Sequence, residues 1–296
     1  VDPSQESRVL RTLGDLAESS SQDAAGDEKL LNAVNSYRNQ GVPMLMFYNH
    51  PSRKASSVEE SMEDFLKWDP QGQIFTAIAG SPGHQNKKVI GSYQQPLFTE
   101  DRWDPVVAKI GGVWDQLLAR GYNLWGALAS SDYHNSNLDK APCSFSRIHV
   151  SAPEYSYLGL IQGVKSGTFW ADHGRLLESL RFSLEFDGLR TSVHPGAVVK
   201  LSADSANAVA KISLIRGPGS KGSPLTAEII SNCSSGQTRT VHEAVLDPTD
   251  SIDISFLHVS NKANDSGSCF LRVRVRLYNP LEPDLLAYTN PIRILL

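Results

Sequence analysis

An aspartate and a histidine, Asp132 and His134, close the stretch LWGALASSDYHNSN (residues 124–137). The apolar run before them predicts a buried strand that ends where the polar residues begin. In an extended segment, residues i and i+2 point to the same side, so the carboxylate and the imidazole can converge on one point. These are ligands for a divalent metal ion, and an aspartate-containing turn gives the same pattern.

Other histidines repeat this arrangement. His50 in YNHPSR, His84 in GSPGHQ and His173 in WADHG each follow an apolar segment, and Asp172 directly precedes His173. Each one alone is typical of a turn residue. Together they favour a shared site, because the carboxyl ends of parallel strands meet at one edge of a sheet. The chemistry that such residues support is a metal-activated water. Four histidines are predicted to be structural or exposed: His149, His194, His242 and His258.

The elements that must position these residues alternate between helix and strand. A helix is predicted over residues 27–40, a strand in VPMLMFYNHP, a helix in SVEESMEDFLKW and a strand in QIFTAIAG, and the alternation continues to TFWADHG. This order predicts an α/β fold with a parallel sheet or barrel. Residues 1–27 form a polar N-terminal arm, and the α/β region covers residues 28–180.

From residue 181 to residue 296 the pattern changes. Segments such as LRFSLEFDG and CFLRVRVRLYN alternate apolar and polar residues and are separated by turn residues. This pattern predicts an antiparallel β-sandwich domain. Arg272, Arg274 and Arg276 alternate along one of the strands, and we expect them on a solvated outer face.

Composition excludes several classes of protein. The 296 residues carry a net charge of −4 and 40% hydrophobic residues, which is enough for a packed core. No basic block is present, which argues against binding of nucleic acid. The longest apolar runs, of about ten residues, are too short to span a bilayer. The sequence contains no P-loop, nucleophile elbow or dinucleotide fingerprint.

The cysteines and two sequons indicate the compartment. Of the three cysteines, Cys233 and Cys269 lie in Ser/Gly/Asn-rich turns. The sequence is equally consistent with a disulfide between them and with two free thiols, and a disulfide would leave Cys143 free. Asn232 and Asn264 begin N-glycosylation sequons in the same region. Together these features favour a secreted, extracellular glycoprotein.

Several segments, which follow one another in the expected order along the chain, resemble the C-terminal half of a metallohydrolase of the PHP (polymerase and histidinol phosphatase) superfamily. They are NHPSR, GSPGHQ, GGVWDQLLARGYNLWGALASSDYH, GTFWADHG and AYTNPIRI. The resemblance implies a partial (β/α)7 barrel followed by a β-sandwich, a cluster of Mn, Fe or Zn ions, and hydrolysis of phosphate esters. By this match His50, Asp132 and His134 are metal ligands, and His84, Asp172 and His173 line the site.

The departures from that pattern bear on activity. The His-x-His motif of the first PHP strand is absent, and Ala79 stands where the branch it resembles has a glutamate. Three remaining ligands predict at most one weakly held ion, so activity of this chain as a phosphoesterase is doubtful. The alternative is a non-catalytic extracellular structural or assembly subunit, for example of a filament, derived from such a hydrolase.

A partial barrel also has an open sheet edge, which something must cover. The cover is expected to be another segment of the same precursor, a neighbouring subunit in a homo-oligomer, or the polar N-terminal arm folded back.

Overall fold

A computed structural model describes most of the chain. The described residues are 7–9, 11–13, 15, 24–53, 55–81, 102–133, 136, 141–186, 192–201, 205–220, 222–246, 251–260, 268–278 and 284–295. Within these ranges no helix is long and apolar enough to cross a membrane.

Capping residues and glycines set where the helices begin and end. The helices are α1 (Ala24–Asn39), α2 (Val58–Trp68), α3 (Pro105–Ala108), α4 (Val113–Ala119) and α5 (Tyr157–Lys165). The Ser57 side chain accepts a hydrogen bond from the backbone N–H of Glu60 and so caps α2. The sequence predicts one helix over DPVVAKIGGVWDQLLARG. The structure divides it into α3 and α4 at Gly111, whose φ of 74° lies in the left-handed region.

Three short parallel strands form the sheet that carries the predicted site. They are β1 (Phe47–Asn49), β2 (Ala77–Ser81) and β3 (Trp125–Ala129), with β2 in the centre. Because the strands are parallel, their carboxyl ends lie at one edge. The sheet packs on helical residues, and Gly126 lies so close to the Trp114 indole that a Cβ atom there would be 2.4 Å from the ring.

The remaining strands are antiparallel apart from one pair. They are β4 (Ser146–Val150), β5 (Phe169–His173), β6 (Leu177–Phe186), β7 (Val198–Lys200), β8 (Ser205–Arg216), β9 (Leu225–Ser231), β10 (Arg239–Leu246), β11 (Ser251–Ser260), β12 (Ser268–Leu277), β13 (Leu285–Thr289) and β14 (Ile292–Leu295). One sheet runs β10-β9-β12-β13-β5-β4, with β14 between β12 and β7, where β14 and β7 are parallel. The other sheet runs β11-β8-β6.

Strands β4 and β5 differ from the expectation of a continuing parallel barrel. They pair antiparallel with each other, and β5 pairs antiparallel with β13. Both strands thus extend the larger antiparallel sheet. The predicted domain boundary between residues 180 and 181 falls inside β6. The described chain is mixed α/β and rich in strands, with β1–β3 forming an open sheet.

The eight-stranded sheet is the wall that both cores share. On one face Phe270 and Tyr288 pack into the core around Trp103. On the other face Leu271 and Val273 pack into the core between the two antiparallel sheets. Adjacent residues of β12 thus contribute to different cores, as the two-residue period of a strand requires.

Two arginines of the β12 stripe, Arg272 and Arg274, are buried, which corrects the expectation of a solvated face, whereas Arg276 is partly exposed and pairs with Asp284. Arg272 is fully buried and makes two hydrogen bonds to Asp115 of α4, at 2.8 and 2.9 Å. Its guanidinium also lies 4.7 Å from the centre of the Trp114 ring. Arg274 is paired with the carboxylate of Glu228 at 2.6 and 2.8 Å.

A disulfide joins Cys233 and Cys269, and both residues are almost completely buried. The bridge fixes the turn after β9 to the first residues of β12, across a sequence separation of 36 residues. Cys143 is exposed and has a free thiol.

We predict that Asp115→Ala lowers the free energy of unfolding by about 3–5 kcal/mol, because it leaves the Arg272 guanidinium buried without its carboxylate. The measurement is urea unfolding followed by circular dichroism. The double variant Asp115→Ala/Arg272→Met is expected to be more stable than Asp115→Ala, because it removes the uncompensated charge.

The matched control is the exposed pair between Lys211 and Glu185, whose N–O distance is 3.0 Å. Glu185→Ala should leave the unfolding midpoint almost unchanged, because solvent screens the pair. Equal losses for Asp115→Ala and Glu185→Ala would contradict a special role for the buried pair.

Candidate functional site

Two of the predicted ligands lie at the carboxyl ends of strands in the parallel sheet. His50 directly follows β1, and its backbone N–H donates to the carbonyl oxygen of Ala79 at 3.2 Å. Asp132 lies three residues after the end of β3. Since β1 and β3 flank β2 in a parallel sheet, His50 and Asp132 lie at the same edge.

Both residues have an unusual backbone conformation. The φ angle is 32° at His50 and 46° at Asp132. Positive φ is uncommon for residues other than glycine, and such strained residues cluster at functional sites. These two lie after β1 and β3, the strands on either side of β2, which favours a site at this edge.

A second acidic residue, Asp104, fixes the turn that follows His50. Its backbone N–H donates to Gly80 at the end of β2, at 2.6 Å. Its carboxylate accepts hydrogen bonds from the backbone N–H and the hydroxyl of Ser52, at 3.1 and 2.7 Å. It also caps α3 by accepting from the N–H of Val106 at 2.9 Å. Asp104 therefore holds the short 3-10 turn Pro51–Arg53 against the edge of the sheet.

Burial changes the ionisation of Asp104. The residue is fully buried, and this burial raises the pKa of its carboxyl to about 6, although hydrogen bonds from Ser52 and Val106 oppose the shift. The carboxyl therefore changes its charge close to neutral pH, next to the strand ends.

His173 lies at the end of β5 in a fully buried position. Its ring stacks on Phe145 with 4.9 Å between ring centres and lies 5.1 Å from Trp103. Burial, aided by the positive charge of Arg102, lowers the pKa of His173 to about 3, so the imidazole is neutral at physiological pH. Trp103 is adjacent to Asp104, so His173 packs beside the end of β2.

Asp172 does not share that surface with its neighbour. Consecutive residues of a strand point to opposite faces, and Asp172 lies on the face of β5 that is turned toward β6. There its carboxylate pairs with Arg147 at 2.8 and 3.1 Å and accepts from the N–H of Leu177 at 3.0 Å. The predicted grouping of Asp172 with His173 in one site is therefore not what the structure shows.

Three predicted residues, His84, His134 and Asn264, lie outside the described part of the chain. Asn232 of the other sequon is fully buried, and its side-chain oxygen accepts from the N–H of Phe270 at 3.0 Å. The Nδ2 atom to which a glycan would attach is buried, so here the asparagine is a packing residue.

The donor chemistry at the edge fits a divalent metal ion in kind. His50 offers an imidazole and Asp132 a carboxylate, which Mn, Fe and Zn accept. Among the described residues no group of three His, Cys, Asp or Glu side chains is arranged to hold a metal. The third predicted ligand, His134, is two residues after Asp132 in the sequence.

Neither a model of a protein family nor a curated protein matches this chain.

Sequence reasoning did not find Asp104 as a site residue. The dipeptide Asp104-Pro105 carries the usual signature of a helix start, an N-cap aspartate followed by proline. This local signature does not reveal that Asp104 also contacts Ser52, which lies 52 residues earlier in the chain.

We predict that the pKa of Asp104 makes stability depend on pH in one direction. The folded chain keeps a proton on this carboxyl up to about pH 6, whereas an unfolded aspartate releases it near pH 4. This stabilisation is present below about pH 4 and is lost as pH rises through about 6, a loss of about 3 kcal/mol. The measurement is urea unfolding at pH 4–7 with chelator, for the wild type and for Asp104→Asn, where this dependence should be missing.

Ser52→Ala serves as a second probe, since it removes a hydrogen bond that lowers the pKa of Asp104. We expect the transition in stability to move to higher pH in this variant. The assignment would be wrong if wild type and Asp104→Asn changed in parallel over the whole range.

Proposed function

We propose that this chain is a PHP-type, metal-dependent phosphoesterase-like protein. One observation carries the proposal: His50 and Asp132, both in strained backbone conformations, lie at the same carboxyl edge of a parallel sheet. His134 completes the proposed ligand set, which would hold one Mn, Fe or Zn ion. A bound ion of this kind lowers the pKa of a coordinated water so that hydroxide forms near neutral pH.

The other residues at this edge have supporting roles in the proposal. Asp104 is a positioning residue, because it holds the turn after His50 through Ser52. Arg102 is almost fully buried, and its guanidinium lies 5.8 Å from the centre of the Phe145 ring, on which His173 stacks. His173 is neutral and packs between Phe145 and Trp103 in the core beside this edge.

Metal binding is the first property that the proposal assigns to this chain. Three ligands hold one ion, whereas the metal cluster that the resemblance implies needs about twice as many. Turnover of phosphate esters is therefore doubtful for the chain alone, and it is the second readout in the experiment.

A second candidate function is a non-catalytic extracellular assembly subunit derived from such a hydrolase. It is favoured by the outer strand of the parallel sheet. That strand, β1, pairs with β2 and with no other described strand, and its Phe47 is exposed. Another protein segment or a second copy of the chain would cover this edge. The buried disulfide supports a secreted location for either function.

We predict that the chain purified without chelator binds about one divalent ion, measured by elemental mass spectrometry and by calorimetric titration with Zn²⁺ or Mn²⁺. His50→Ala and Asp132→Ala should each weaken binding at least tenfold, because each removes one of three ligands. Ser52→Ala should weaken it less, since it loosens the turn without removing a ligand. His242→Ala, in β10 of the antiparallel sheet, is the matched control and should bind like wild type.

Hydrolysis of 4-nitrophenyl phosphate is measured on the same samples. Metal-dependent turnover that His134→Ala abolishes would establish the enzyme. Metal content that is unchanged in His50→Ala and Asp132→Ala would rule the site out. An absence of metal, together with concentration-dependent association in analytical ultracentrifugation, would support the assembly subunit instead.

A further inference from the structure

A cavity of about 690 Å³ lies at the amino ends of the parallel strands, at the edge of the sheet opposite His50 and Asp132. Its floor comes from the segments that lead into β1 and β2, which are joined by a hydrogen bond of 2.8 Å from the N–H of Thr76 to the carbonyl oxygen of Met46. Its walls come from α1 and α5. The volume is within the range of pockets that hold a small molecule.

Each helical wall is one face of its helix. On α5 the cavity is lined by Leu158, Ile161 and Lys165, which are spaced by three and four residues. On α1 it is lined by Val34 and Arg38, which are four residues apart. Residues with these spacings lie on the same side of an α-helix. Both helices therefore turn one strip of side chains toward the cavity.

The charged residues of the lining are all positive. Arg38 extends from α1 to the floor, where its Nη1 atom donates a hydrogen bond to the carbonyl oxygen of Gln73. Lys165, the last residue of α5, belongs to the other wall. Among the described residues that line the cavity there is no aspartate or glutamate. The complement of this lining is an anionic group, which a guanidinium binds well when it is a carboxylate.

The apolar part of the lining is aliphatic. Met44, Met46 and Ile74 contribute to the floor, and Leu158 and Ile161 to the α5 wall. No aromatic residue is among the described residues of the lining, so the cavity offers no ring on which a flat ligand could stack. Methionine side chains are unbranched and adapt to the shape of a flexible ligand. Leu158 is 42% exposed, so an apolar chain in the cavity would remove more of its surface from water.

From this combination we infer that the cavity binds a linear aliphatic carboxylate. The carboxylate pairs with Arg38 and Lys165, and the hydrocarbon chain lies against the methionines of the floor and Leu158. Gln162, on the same face of α5 as Lys165, adds an amide to the polar part of the lining. This binding site needs no metal ion and goes beyond the phosphoesterase proposal.

The test is calorimetric titration of the purified chain with octanoate, 1-octanol and butyrate, all in the presence of chelator. We expect octanoate to bind. 1-Octanol lacks the charge and butyrate lacks half of the chain, so each should bind at least tenfold more weakly. The inference is overturned if octanoate does not bind, or if either of the other two binds as tightly as octanoate.

Two variants of the same helix test the contact with the hydrocarbon chain. Leu158→Gln should weaken binding of octanoate at least fivefold. Leu160→Gln is the matched control, because Leu160 is 45% exposed on α5 but does not line the cavity, and it should bind like wild type. Equal effects of the two substitutions would contradict the assignment of the chain to this cavity.

Three further variants test the contact with the carboxylate. Arg38→Gln and Lys165→Gln should each weaken binding of octanoate at least fivefold and leave that of 1-octanol almost unchanged. Arg239→Gln, an exposed arginine of β10, should bind like wild type. Far-ultraviolet circular dichroism confirms that the variants are folded, and Lys165→Gln keeps the test valid if Arg38→Gln loosens the floor. A loss in Arg239→Gln as large as in the other two would indicate a general charge effect and overturn the inference. Because chelator is present throughout, these outcomes are separate from the test of the phosphoesterase proposal.

Discussion

The buried ion pair between Arg272 and Asp115 connects the helical layer to the antiparallel sheets. Arg272 lies on β12, at the centre of the larger sheet, and Asp115 lies in the first turn of α4. Removing both charges from water is costly, and the cost is offset by two direct hydrogen bonds and the ring of Trp114. Asp115 also accepts from the backbone N–H of Gly111 at 2.8 Å. The pair therefore fixes α4, and through Trp114 it fixes β3, the strand that leads to Asp132.

A buried asparagine completes this connection. The side-chain oxygen of Asn290 accepts from the N–H of Ala127 in β3, and its amide donates to the carbonyls of Gly167 and Phe169. One side chain thus ties β3 to the start of β5 at a place where those strands do not form a regular ladder. Leaving such buried polar groups without partners would cost about 1–3 kcal/mol each, so the relative position of the two strands is strongly specified.

Sequence pattern was sufficient for local elements and insufficient for their partners. The sequence predicted a helix in SVEESMEDFLKW, which is α2, and apolar runs predicted β2 and β3. The two-residue period of β12 correctly indicated that Arg272 and Arg274 share a face, but the period does not say whether that face meets water. The answer depended on Asp115, 157 residues from Arg272, and on Glu228, 46 residues from Arg274. The antiparallel direction of β4 and β5 likewise depended on β13, which lies far along the chain.

The strand β5 separates two environments. Its alternating residues divide the chemistry: His173 faces the aromatic core at the parallel strand ends, and Trp170 and Asp172 face the opposite side, toward β6. This separation could have been predicted from the sequence. Asp172 and His173 are adjacent in a predicted strand, and adjacent side chains of a strand point to opposite faces. One electrostatic link remains, since the negative charge of Asp172 raises the pKa of His173. Burial and Arg102 outweigh that effect and keep His173 neutral at physiological pH.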